Sequence, residues 1–144
     1  MEIIFMALLL TGFHVLSATA QLPAFPGAEG FGRYAYGGRG GDAYYVTKLD
    51  YSGPGSLRYG IESADGPRTI LFGIPGTIFL ESNLVINEPN ITIAGQTAPG
   101  DGITRANAGL YVAAVHIIVR YIRDRMGDTA AGRLLPQTGY LHPR

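Results

Sequence analysis

The chain has 144 residues, with eleven Lys and Arg against eleven Asp and Glu, 21 glycines, nine prolines, and neither cysteine nor tryptophan. That length suits one domain or part of one, and zero formal charge with ordinary apolar content argues against wholesale disorder or general nucleic-acid binding. Without cysteine there is no disulfide framework, zinc–thiolate site or thiol nucleophile, and glycines without a three-residue period exclude collagen.

Residues 1–20 stand apart. The apolar run IIFMALLL precedes Ala18-Thr19-Ala20, a small-x-small cleavage pattern before Gln21. This is the outline of a secretory signal peptide, although its n-region, Met1-Glu2, carries no Lys or Arg. The alternative is a buried N-terminal segment. Ile3 to Leu16 is too short for a membrane span, which needs about 20 residues. Cleavage would remove Glu2 and no base, leaving a net charge of +1.

Next comes FPGAEGFGRYAYGGRGGD, Phe25 to Asp42, rich in glycine. A dinucleotide fingerprint needs GxGxxG between a strand and a helix. Here Gly27, Gly30 and Gly32 follow no strand pattern and open no helix, and no P-loop Gly-Lys-Ser/Thr is present. The stretch reads instead as a loop whose backbone must turn left-handed or approach another segment closely. Ala43 to Thr47 is β-prone, and Asp50 to Gly55 is turn chemistry. Ser56 to Ala64 predicts the one helix, with Leu57, Ile61 and Ala64 on one face, ended by Asp65-Gly66-Pro67.

From Thr69 the pattern changes to short β-rich runs: TILF, TIFL, NLVI, ITIAG, LYVAA and HIIVRYI, separated by turn pieces. No helical pattern lies between them, so an antiparallel sandwich and a parallel solenoid are the two candidates. Spacing favours the solenoid. Ile70-Leu71-Phe72 lies 21 residues before Ile91-Thr92-Ile93, which lies 26 before Ile117-Ile118-Val119. Leu84-Val85-Ile86 and Leu110-Tyr111-Val112 are also 26 apart. Such coils bury aliphatic residues only by stacking, and about three are needed for stability. The helix, just before the first coil, is placed to cover its open end.

The phrases FPGAEGFG, GPGSLR, AGQTAPGDGIT and HIIVRYIRDRMGD are long and unusual, and the chain from Leu22 to Asp128 resembles the N-terminal region of secreted pectate lyases. The resemblance implies an all-β fold, a right-handed parallel β-helix of about three coils with an N-terminal capping helix. The expected organisation is a signal peptide at 1–20, a glycine-rich cap with its helix at 21–68, the first coils at 69–128 and an irregular tail at 129–144. It also implies cleavage of polygalacturonate or pectin by calcium-assisted β-elimination, with an arginine as the base, in an extracellular or periplasmic protein; a monomer with no nucleic-acid partner and no stable membrane span is expected.

In that family the acidic calcium ligands and the catalytic Asp-His and Arg motifs lie on coils beyond those matched here. No catalytic, substrate-binding or metal-ligating residue is therefore assigned, and the chain reads as an incomplete, inactive N-terminal portion. A non-catalytic carbohydrate-binding module is the alternative, with Tyr34, Tyr36, Tyr44 and Tyr45 as stacking platforms. Asp128 is the residue nearest the family's first ligand region, and a lone Asp after Gly reads as a turn residue. His116 reads as a strand-edge residue and His142 as part of the tail. Arg120, Arg123 and Arg125 form a basic stripe, able to meet carboxylates or simply solvated. Asn90-Ile91-Thr92 matches a glycosylation acceptor or a coil corner. Two features depart from the family: the tail TAAGRLLPQTGYLHPR, and Asp124, where an aromatic is usual. Asp124 alternates with Ile122 and Met126, which predicts an inward, unpaired carboxylate whose replacement by Phe would stabilise the fold.

Overall fold

The computed structural model describes residues 21–127. The expectations for the leader at 1–20, for Asp128 and for the tail with His142 lie outside the described residues. The β-rich runs become strands β1 (Asp42–Val46), β2 (Arg68–Phe72), β3 (Gly76–Leu80), β4 (Leu84–Ile86), β5 (Ile91–Ala94), β6 (Ile103–Asn107), β7 (Leu110–Val112), β8 (Ile118–Arg120) and β9 (Ile122–Met126). They form three sheets, ordered β1-β2-β5-β8, β3-β6-β9 and β4-β7. Every strand pair is parallel. The chain therefore winds as a parallel β-helix and not as a sandwich, with β2-β3-β4 and β5-β6-β7 each laying one strand on each sheet and β8-β9 beginning the next turn.

Register follows the sequence spacing with one adjustment. Leu84 lies opposite Leu110 and Thr92 opposite Ile118, both 26 residues on. Ile70, however, lies opposite Ile93 and not Ile91. A two-residue slip keeps the same side chains inward, so the core is unchanged by it. Val46, Ile70, Phe72, Ile78, Leu80, Leu84, Ile86, Ile91, Ile93 and Ile103 make one continuous interior. Each fully buried aliphatic of this kind contributes about 1.5–3 kcal/mol relative to exposure.

Helix α1 (Leu57–Glu62) starts where Ser56 accepts a hydrogen bond from Tyr59 N through its side chain, the usual N-cap arrangement. Its apolar face, Leu57 and Ile61, enters the same interior, with Ala64 packed beside it. Two arginines fasten it. Arg58 donates to Ser82 O at 2.9 Å and Asn83 O at 3.1 Å, tying α1 to the turn before β4. Arg68 of β2 donates to Gly60 O at 3.0 Å and Ser63 Oγ at 2.9 Å, and its Nη2 meets Asp42 of β1 at 2.8 Å. Asp42 and Arg68 are also register partners, so one side chain joins the helix to two strands.

The glycine-rich segment is a strap laid along the corners of successive turns. Gly37 N donates to His116 O at 3.1 Å, Gly38 N to Thr92 Oγ1 at 2.9 Å, and Asp42 N to Pro67 O at 3.1 Å. The strap thus crosses three rungs before feeding β1, the first strand of the large sheet. A Cβ at Gly41 would sit 1.6 Å from Pro67 O, and one at Gly37 (φ +61) 2.2 Å from Thr92 Oγ1. Glycine is needed here for backbone contact rather than for an anion. The strap also explains why Ile118 is buried on the outward side of β8, since Gly37 lies against its Cδ1.

Candidate functional site

The corners beneath the strap repeat one unusual conformation. Asn90 (φ 62) precedes β5 and His116 (φ 59) precedes β8, both left-handed and 26 residues apart. Asn90 N donates to Val115 O at 3.2 Å, stacking one corner on the next. Asn is among the residues that tolerate this region and also offers a polar side chain there. Thr92, the third residue of the glycosylation-like triplet, is held under the strap by Gly38, so the corner reading of Asn90-Ile91-Thr92 accounts for all three residues.

His116 is exposed at its corner, and its Nδ1 accepts from Tyr36 N at 3.3 Å. With Nδ1 engaged as the acceptor, Nε2 is the ring nitrogen left to donate. Between the strap and the corners lies an open cleft of about 600 Å³, lined by Gln21, Leu22, Tyr34, Tyr36, Arg39, Asn90 and His116. Arg39 is anchored at its rim: Nη2 donates to Ala24 O at 2.9 Å and to Pro23 O. Two phenolic rings, an imidazole, two side-chain amides and a guanidinium thus line one concavity, and among the described residues no carboxylate lines it.

The four candidate tyrosines separate. Tyr34 and Tyr36 line the cleft. Tyr44 is a packing residue: its ring lies 6.2 Å from that of Tyr59, and its hydroxyl accepts from Gly55 N at 2.8 Å. Tyr45 points out of the large sheet and is exposed.

The arginine stripe also separates. Tyr121 (φ 57) turns the chain sharply between β8 and β9, so the predicted single run HIIVRYI becomes two strands on two sheets. Arg120 stacks over Phe25 at 4.2 Å and Tyr121 at 5.0 Å, pinning the start of the strap. Arg123 and Arg125 stand on the outward side of β9, opposite Thr104 and Ala106.

Asp124 corrects its sequence reading. Its register partner is Arg105 of β6, which is 1% exposed. Arg105 Nη2 donates to Asp124 Oδ2, and Nη1 donates to Ala108 O. The carboxylate is paired and half-exposed, not an orphan. The buried charge belongs to Arg105, whose pKa is lowered by desolvation. Sequence reasoning missed β6 because ITRAN has no apolar alternation. The signal that could have found the pair was its place in the ladder Ile78–Arg105–Asp124, visible only once register is known.

The calcium expected from the resemblance has no donor set in this part of the chain. Among the described residues, no three His, Cys, Asp or Glu side chains come together to hold a metal ion. Likewise, no described helix is long and apolar enough to cross a membrane.

No protein-family model matches the chain. Curated relatives do. A protein of Emericella nidulans described as "Probable pectate lyase C" is 53% identical over 111 residues, 76% of this chain and 26% of the relative. The protein of the same description from Aspergillus fumigatus is 50% identical over the same shares, and that from Aspergillus flavus is 46% identical over 120 residues, 83% of this chain and 28% of the relative. Among solved structures, Jun a 1, the major allergen from cedar pollen, matches with a TM-score of 0.57 and 29% identity, over 67% of this chain and 29% of that one. A parallel β-helix with a strapped, helix-capped start thus coincides with close sequence similarity. The chain is a homologue of these proteins described as probable pectate lyase C, and it spans about a quarter of their length.

Proposed function

We propose that this chain carries the strap, cap and first turns of a secreted pectate-lyase-like polysaccharide lyase, with residues 1–20 directing export. The reading rests on one observation: 53% identity over 111 residues to a curated pectate lyase C homologue, carried by in-register parallel turns. The reaction is β-elimination within a polygalacturonate chain, in which the C5 proton of a uronate is removed and the C4–O bond breaks. Calcium, when bound by such an enzyme, stabilises the negative charge that develops on the uronate carboxylate. Among the described residues no ligand cluster for it is found, and the part proposed for residues 21–127 is to build and close the scaffold.

A chimera tests this. The matching segment of the Emericella nidulans relative is replaced by residues 22–127 of this chain, and release of unsaturated uronides from polygalacturonate is followed by absorbance with added calcium. Activity within about tenfold of the parent relative is expected. A folded chimera without activity, beside an active parent, would reject the proposal. Clear turnover by the 144-residue chain alone would reject its scaffold role.

A further inference from the structure

We infer that the cleft between strap and corners is a binding site for a carboxylate-bearing pyranose. Its volume, about 600 Å³, lies within the usual range for small-ligand sites. Tyr34 and Tyr36 line it; the Arg33 guanidinium lies over the Tyr34 ring at 4.6 Å, which leaves the Tyr36 ring as the main apolar surface for the C–H face of a sugar. The bond from Tyr36 N to His116 Nδ1 leaves Nε2 to donate, and the Asn90 amide adds donor and acceptor groups at the neighbouring corner. Arg39 supplies the charge. Its Nη2 is committed to the Pro23 and Ala24 carbonyls, which orients the guanidinium, and among the described residues none of its other N–H groups is in a hydrogen bond. With Arg39 cationic and no acid among the described residues of the lining, the cleft discriminates for an anionic ring over a neutral one.

The site depends on the whole architecture. Its walls come from the strap and from two stacked corners 26 residues apart, so it exists only when the turns are in register. The contacts its lining offers to one saccharide unit involve no metal. Choosing galacturonate as that unit rests on the proposed function, but the preference for an acidic ring does not.

The test is titration of the 144-residue chain with an α-1,4-linked galacturonate trimer and, separately, with a neutral galactose trimer, followed by NMR shifts in calcium-free buffer. The acidic trimer is expected to bind in the millimolar range, shifting the Tyr36, Asn90 and His116 amides, and at least tenfold more tightly than the neutral one. Tyr36→Ala, which keeps the backbone donor to His116, should weaken binding at least fivefold, and Asn90→Gly, which keeps the left-handed corner, at least twofold. Equal binding of the two trimers, or acidic binding unaffected by both substitutions, would overturn the inference. So would absence of shifts in the folded chain. Because no turnover is read, failure here leaves the chimera result independent.

Discussion

Removing the Asp124 carboxylate should destabilise the chain, although the sequence alone suggests that an aromatic there would be an improvement. Arg105 is 1% exposed and has three groups of donors in the interior. Nη1 is satisfied by Ala108 O and Nη2 by Asp124, while Nε has no partner. Asp124→Phe removes the acceptor for Nη2 and the countercharge together. Severing a fully buried pair costs about 3–5 kcal/mol. Asp124 is half-exposed, and water can reach the vacated position, so about 2–3 kcal/mol is expected. For a chain of this size that lowers Tm by roughly 8 °C, measured by circular dichroism at neutral pH. Adding Arg105→Met should return most of the loss, because an apolar pair leaves no stranded charge. An unchanged or higher Tm for Asp124→Phe alone would refute the pairing and restore the reading of Asp124 as a misplaced carboxylate.

Other outcomes follow from the same geometry. Ile93→Ala, at the centre of the interior, should cost about 2–5 kcal/mol, read from denaturant unfolding. Gly41→Ala places a Cβ on Pro67 O and should free the strap, so limited proteolysis between Phe25 and Asp42 should become much faster while the far-ultraviolet spectrum stays β-rich. Asp42→Asn should cost no more than about 1 kcal/mol at neutral pH, since the Asp42 carboxylate is itself exposed and water screens the pair. Arg68, first by its hydrogen bond, holds the Asp42 carboxyl below its ordinary value of 3.8. The contribution is therefore present above that ordinary value and lost as pH falls through the lowered one. The stability difference between wild type and Asp42→Asn in urea should shrink to nothing under acid conditions. A difference that persists there would remove the pair as its cause.

The winding was legible because aliphatic triplets recurred at near-constant spacing, and parallel stacking rewards that recurrence directly. Leu84 and Leu110 show this most simply, as register partners predicted by spacing alone. The helix was legible through its turn-rich start at Ser56 and the four-residue step from Leu57 to Ile61. What escaped was what stacking permits once the turns exist. Arg105 sits inward on a strand the sequence pattern did not reveal, and the next rung offers Asp124 at the same register. The strap was read as a lid on the first coil, yet Gly37 and Gly38 run across the outside of later ones. Contacts between Gly37 and His116 span most of the chain and leave no local signal. For the same reason the cleft was only half visible: Tyr34 and Tyr36 were noticed, but their convergence with Asn90 and His116 needs the corners stacked.

Parallel, in-register turns underlie the core, the Arg105–Asp124 pair and the cleft alike, and the absence of native cysteine makes them directly testable by engineered disulfides. Thr77 faces Thr104 and Phe79 faces Ala106 across β3 and β6, on the outward side. Cysteine pairs at 77 with 104 and at 79 with 106 should both oxidise readily, each within bridging distance. A pair at 77 with 106, about 8 Å apart from strand spacing and rise, should not. Oxidation of the 77–106 pair with failure of the other two would mean antiparallel neighbours, and the β-helix account would be wrong.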